Sequence, residues 1–237
     1  MREPRQSHDS VLPRCGLVAV AVQAVKPRLL DLFCGAGGAA MGYHRAGFEV
    51  VGVDIKPQPN YPFEFVNWDA LDYGGLPWDM RDFDAIHASP PCQRWLGVPG
   101  ALGDEYPDLI GPTRELLRST GLPYVMENVP GAPLEDGFVL CGTTFGLPIV
   151  RHRRFEVWPQ IDLVPSTCHQ SSYGRGTEHP GTYPFAHGAW RSAWRKHVLP
   201  VVWPWMTLEE SHDAIPPAYT ELIGHQLLQH IKAKAVA

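Results

Sequence analysis

The chain has no excess of positive charge. Its 237 residues carry 20 Lys and Arg against 25 Asp and Glu, a formal net charge of −5. That total weighs against a protein that coats nucleic acid by charge alone, while leaving room for a local basic groove. Paired cysteines are missing too. Cys15, Cys34, Cys92, Cys141 and Cys168 stand at irregular spacings and odd in number, the usage of free thiols in a reducing compartment. No apolar stretch reaches the roughly 20 residues of a membrane-spanning helix, so no membrane partner is expected. The apolar run over 16–25 is short and begins after a polar decapeptide and Arg14, which argues against a signal peptide. Residues 1–27 are set aside as an N-terminal extension. Internal repeats and low-complexity tracts are also wanting. What is present is an ordinary globular composition, 44% hydrophobic and 19% charged, at a length that suits one α/β domain with an appendage.

From residue 28 onward, apolar runs alternate with helical signals. Residues 29–33 read as a buried strand, followed by a glycine-rich turn and a helix over 39–46 closed by Gly47. Residues 48–54 form a second expected strand, 63–66 with a turn at 69–71 a third, 83–88 a fourth and 122–129 a fifth. A helix over 108–120, with Pro112 near its first turn and Gly121 at its end, separates the last two. Such alternation predicts an α/β fold, a doubly wound and mostly parallel sheet. After residue 130 the texture changes. β-type runs occupy 138–158, and 159–205 is rich in Gly, Pro, Ser, His and Trp with little period, which predicts a small loop-rich recognition insert. Thr207-Leu208-Glu209-Glu210 offers a capping box and 219–233 a last amphipathic helix. The main domain is therefore expected over 28–158 and 206–237.

The chemistry-bearing residues fall at strand ends. A strand that stops on Pro90-Pro91 cannot continue its ladder, so Cys92 is thrust beyond the sheet edge on a rigid loop. In open α/β sheets, ligands bind at the carboxyl ends of strands. Asp31-Leu32-Phe33-Cys34-Gly35-Ala36-Gly37-Gly38 follows the first strand, and Asp54 ends the second. The glycines allow close backbone approach, but the pattern is not the dinucleotide fingerprint, and a pyrophosphate would sit poorly beside Asp31. A ligand with an adenosine, a cation and a carboxylate fits better, and S-adenosylmethionine has all three. Phe33 is placed to stack on its adenine and Asp54 to meet ribose hydroxyls. Glu127-Asn128 ends the fifth strand, where partial desolvation would raise the acid's pKa and let it hold a proton. Arg151-His152-Arg153-Arg154 brings a basic cluster. A thiolate, a protonated carboxyl and a guanidinium serve one reaction together, methyl transfer to C5 of cytosine. The thiolate adds at C6, the acid holds a proton at N3, and the arginine steadies the charge at O2.

At these residues the chain resembles the DNA (cytosine-5) methyltransferase family, and its compact form and IPPAYTE segment are similar to short phage-borne members. DLFCGAGGAAMGYHRAGF from Asp31 resembles the first family motif, VGVD the second, NWDAL with Asp69 the third, ASPPCQ the nucleophile motif, MENVPG the acid motif and RHRRF the arginine motif. Two departures stand out. His212-Asp213 replaces Gly-Asn before Ala214-Ile215-Pro216-Pro217, and the recognition region is compressed.

The resemblance implies a Rossmann-like methyltransferase fold with Cys92, Glu127 and Arg153 as catalytic residues. It implies S-adenosylmethionine held by Asp31, Phe33, Gly35, Gly37, Gly38, Asp54, Ile55, Asp69, Pro91, Ala214 and Ile215, and substrate met by Gln93, Asn128, Arg151 and Arg175. Double-stranded DNA is the implied partner, with the target base flipped out under a lid over 94–107. A monomer in the cytoplasm of a bacterial or phage-infected cell is expected. The alternatives are a cytosine-C5 methylase of RNA or free nucleotides, and a catalytically silent relative that binds DNA or the methyl donor. The insert's Arg175, Arg191, Arg195 and Lys196 interleave with Tyr173, Trp190 and Trp194, which suits nucleic-acid backbones and unstacked bases. Its Cys168, His169, His179 and His187 match no standard zinc spacing, and no metal is expected.

Overall fold

The leucines of the first strand show why the sheet is covered on both faces. Leu29 packs on one side with Tyr43, Phe48, Tyr219 and Ile223, whereas Leu30 and Leu32 pack on the other with Met80, Ile86, Leu116 and Leu117. Period-two alternation with apolar side chains at nearly every position means that both faces are buried. The computed structural model describes residues 25–95, 106–161, 192 and 194–236. Its elements are β1 (Arg28–Leu32), α1 (Gly38–Ala46), β2 (Glu49–Asp54), β3 (Glu64–Asn67), β4 (Ala85–Ala88), α2 (Ile110–Thr120), β5 (Tyr124–Asn128), β6 (Phe138–Leu140), β7 (Arg153–Trp158), a short α3 (Leu199–Val202) and a long α4 (Pro217–Val236).

The strands form one seven-stranded sheet in the order β3-β2-β1-β4-β5-β7-β6. The β3-β2, β2-β1, β1-β4 and β4-β5 pairs are parallel. Strand β7 runs antiparallel to both β5 and β6. The expected doubly wound, mostly parallel sheet is therefore present, with α1 and α4 packed on one face and α2 on the other. The order reverses between β1 and β4, which opens a crevice at their carboxyl ends. Because β7 is antiparallel, its first residue, Arg153, lies at that same edge.

Three boundaries differ from expectation. Phe33 leaves β1 because its φ is +56°, a left-handed conformation that no strand residue adopts. The Thr207–Glu210 capping box forms reciprocally, with Thr207 N donating to Glu210 Oε2 at 2.7 Å and Glu210 N to Thr207 Oγ1 at 3.2 Å. It opens only a single turn, Glu210–His212, because Pro216 and Pro217 follow before a second turn can close. Finally, Trp194 and Trp203, placed by composition in the recognition insert, stack at 6.0 Å in a third buried cluster with Val198, Met206, Ile149 and Ala36. Residues 194–205 thus pack on the glycine loop of the main domain. Most of the expected insert and lid, with Arg175 and the Cys168 and His169 pair, lies outside the described residues. No helix among the described residues is long and apolar enough to cross a membrane.

Candidate active site

The glycine loop is held open by its own backbone chemistry. Gly35 has φ +50°, and a Cβ there would meet nothing within 4 Å, so the space above it is clear. Gly37 has φ +83°, and a Cβ would strike Pro62 Cδ at 2.8 Å. Asp54, at the end of β2, accepts from Gly35 N at 3.0 Å through Oδ2 and from Lys56 N at 2.9 Å through Oδ1. Phe33 is partly buried against the β4 side of the core in a strained conformation that the surrounding turn imposes. Ile55 is exposed beside Asp54. Asp69, exposed just past β3, accepts from Leu71 N at 3.0 Å.

Asp31 is fully buried, and neither carboxylate oxygen finds a satisfactory hydrogen bond. Burial pushes its pKa well above the carboxylate range, Asp54 adds to the rise, and the Ala40 N–H opposes it. An unpaired buried acid is costly unless a cation or proton is brought to it. The open space over Gly35, the strained aromatic and this acid fit a cationic adenosine ligand.

The C-terminal segment closes the loop from above. A Cβ on Gly38 would stand 2.4 Å from Ile215 O and 3.2 Å from Ala214 Cβ, so only glycine lets this strap lie down. Trp205 Nε1 donates to Ala36 O at 2.9 Å and Trp203 Nε1 to Ile215 O at 3.0 Å. Neither tryptophan was singled out from the sequence. Their only signal was the Trp-Pro-Trp string, which composition assigned to the insert.

Across the crevice, Cys92 sits half-buried after exposed Pro91, and Trp95 N donates back to Cys92 O at 2.8 Å to form a tight turn. Asn128, expected against substrate, instead braces this loop. Its side-chain amide donates to Pro90 O at 2.8 Å and its side-chain oxygen accepts from Val129 N at 2.9 Å, both buried. Burial raises the Cys92 thiol, Arg153 pulls it down, and Glu127 and Asp213 push it up. Glu127 is buried at the end of β5, and desolvation raises its pKa against the pull of Arg153, Arg151 and a hydrogen bond from Ser89. Arg153 Nε stands 2.9 Å from Glu127 Oε1. Arg151 donates to His212 O and lies 5.9 Å from the Trp203 ring centroid, while its charge still acts on Glu127. Burial and then Arg153 bring its guanidinium down to about 9. Gln93 Oε1 is buried without a partner beside the thiol turn. The fold therefore gathers Cys92, Glu127 and Arg153 at one sheet edge, within the same field, beside the glycine loop.

Residues 27–134 match the family model for C-5 cytosine-specific DNA methylases. The Type II methyltransferase M.FnuDI of Fusobacterium nucleatum is 32% identical over 75 residues, 29% of this chain and 21% of its own length. The chain thus spans about a fifth of that relative. Among solved structures, a Spodoptera frugiperda DNMT2 mutant is 22% identical, with a TM-score of 0.42 over 54% of this chain and 48% of its own. The Entamoeba histolytica methyltransferase EhMeth is 17% identical, with a TM-score of 0.42 over 60% of this chain and 57% of its own. Enzymes of the matched family use S-adenosylmethionine as methyl donor. Residues 27–134, which carry β1 to β5 of the sheet and the strand ends that present Cys92 and Glu127, are thus similar to the C-5 cytosine-specific DNA methylases.

Proposed function

We propose that the protein methylates C5 of cytosine in double-stranded DNA through a covalent adduct between Cys92 and C6 of a flipped-out base. The observation that carries this reading is the convergence of a half-buried thiol, a buried carboxyl of raised pKa and a guanidinium 2.9 Å from that carboxyl, on three neighbouring strand ends. S-adenosylmethionine, when bound, supplies an electrophilic methyl group. Asp31, Phe33, Gly35, Gly37, Gly38, Asp54, Ile55 and Asp69 would hold it, with Pro91 and the Ala214–Ile215 strap as neighbouring walls. Cys92, once deprotonated, adds to C6, which makes C5 nucleophilic. Glu127 keeps a proton at N3 because its site disfavours the carboxylate, and Arg153 compensates the charge that develops at O2. The base must leave the duplex, since C6 cannot be reached within the stack. Gln93 and Arg175 would face DNA, and Asn128 would act by holding the Cys92 loop.

A mechanism-based trap tests the reading. Wild-type protein incubated with S-adenosylmethionine and a 5-fluorocytosine duplex should form an adduct that survives denaturing electrophoresis, and Cys92→Ser should form none. Parallel arms with RNA and cytidine nucleotides identify the polymer. No adduct from the wild type on any substrate, or an undiminished one from Cys92→Ser, refutes the proposal.

A further inference from the structure

The turn Glu210–His212 is held at both ends, by residues that come from opposite sides of the sheet edge. On one side Asn60, from the loop after β2, places its amide Nδ2 3.0 Å from each carboxylate oxygen of Glu210, and Oε2 of that carboxylate also accepts from Thr207 N at 2.7 Å. On the other side Arg151, two residues before β7, donates through Nη2 to His212 O, and the Tyr219 hydroxyl of α4 donates to Arg151 O. Strands β1, β4 and β5 stand between β2 and β7, so the turn is tied across the strand ends that carry the glycine loop and Cys92. Three residues beyond His212, Ile215 lies on Gly38 and accepts from Trp203 Nε1 at 3.0 Å. Pro216 and Pro217 follow at once, with few backbone conformations open to them. A shift at His212 is therefore passed to Ile215, because the chain between them is short and its exit is stiff. The Arg151 guanidinium is itself costly to the fold, since its Nε is buried without a partner. An apolar residue of similar length would relieve that cost, but it would offer His212 O no donor.

We propose that Arg151 and Asn60 are positioning residues that pin the roof of the methyl-donor site: each grips one end of the Glu210–His212 turn, and the pinned turn lays Ile215 on the glycine loop. Arg151 then serves the donor, in place of the substrate contact that its motif implies, although it stands two residues from Arg153. The inference rests on the reading of the glycine loop as the place where S-adenosylmethionine binds.

Which ligand loses affinity decides between the two roles. In the full chain without DNA, calorimetry with S-adenosylmethionine and with S-adenosylhomocysteine should show Arg151→Met binding about 10-fold more weakly than wild type, the scale of one hydrogen bond to a charged group. Its Kd for a cytosine-containing duplex should stay within about 2-fold. Arg151→Lys, which keeps the charge and a donor of similar reach, should recover most of the donor affinity. Asn60→Ala, which lets go of the other end, should weaken donor binding in the same direction and leave the duplex alone. An Arg151→Met protein with wild-type donor affinity overturns the proposal. A duplex affinity that falls as far as the donor's does so too, as does a Lys variant as weak as the Met one. If Arg151→Met does not fold, Asn60→Ala carries the same test, and unchanged donor affinity there overturns the proposal. Hydrogen exchange read by mass spectrometry on ligand-free protein tests the grip alone. Peptides over 207–216 should exchange faster in Arg151→Met and in Asn60→Ala than in wild type, while those over β1 and β4 keep their rates; unaltered exchange over 207–216 overturns the proposal. Should wild type bind neither S-adenosyl ligand, the reading of the glycine loop falls, while the exchange measurement still judges the pinned turn.

Discussion

At the residue scale, the site is a competition between burial and one guanidinium. Desolvation raises Cys92, and Arg153 is the strongest opposing influence. Arg153→Ala should therefore shift the rise of Cys92 reactivity to higher pH, since the thiolate loses its nearest cation. Iodoacetamide alkylation followed across pH, with Cys92→Ser as the blank, reads this directly. The other described cysteines, Cys34 and Cys141, are buried and should contribute little. Glu127→Gln keeps size and hydrogen-bonding capacity but cannot hold the proton at N3. Its kcat should fall by about 10²- to 10⁴-fold, the usual worth of a positioned acid, with donor binding unchanged by calorimetry. His87 gives a stability prediction with a definite sign. Its folded pKa of about 3 lies below the unfolded value, so the unfolded chain binds the proton first as pH falls. Folding stability should drop below about pH 6.5, by roughly 1.4 kcal/mol per pH unit until the folded ring titrates. His87→Gln should flatten that slope in urea unfolding.

At the scale of elements, the strands were legible because each is a short apolar run ended by a turn residue, and the βαβ alternation fixes their parallel pairing. The Pro90-Pro91 stop and the Gly47 and Gly121 helix ends were readable for the same reason: those residue types have few conformations to choose from. What could not be read locally is long-range. Nothing near Asn128 shows that its amide braces Pro90, and nothing near Gly38 shows that Ile215 lies on it. His87 looked like part of an apolar strand, and its partners come from α1 and the next loop. The tryptophans of 194–205 carried composition but no period, so their packing on Ala36 was hidden. Gly38→Ala would force its new methyl against Ile215 O and should cost about 1–3 kcal/mol in urea unfolding, the range for overpacking. Asn128→Ala leaves Pro90 O unpaired and should cost about 1–3 kcal/mol, the worth of a buried group left unsatisfied.

At the scale of the whole molecule, a buried carboxylate ties α2 to the sheet at a distance from the chemistry. Glu156 on β7 receives Arg114 Nη2 at 2.7 Å and Nε at 3.0 Å, Glu135 N at 2.8 Å and the Tyr124 hydroxyl at 3.1 Å. Burial disfavours its charge, but these donors outweigh burial and hold its pKa below the usual value. A carboxylate lowered in the folded state stabilises the fold above its unfolded pKa, and that support is lost as pH falls through the folded one. Acid unfolding of wild type should therefore steepen below about pH 4.5, and Glu156→Gln should be less stable at neutral pH and lose less on acidification, by differential scanning calorimetry. The strap formed by Trp203, Trp205 and Ile215 has a consequence for synthesis. The glycine loop leaves the ribosome some 170 residues before the tryptophan that covers it, so a growing chain carries an unroofed nest while that whole stretch is made. Ability to capture the methyl donor should arrive abruptly, once Trp205 and Ile215 have emerged, and a ribosome-stalled series of increasing length should show a step in place of a gradual climb.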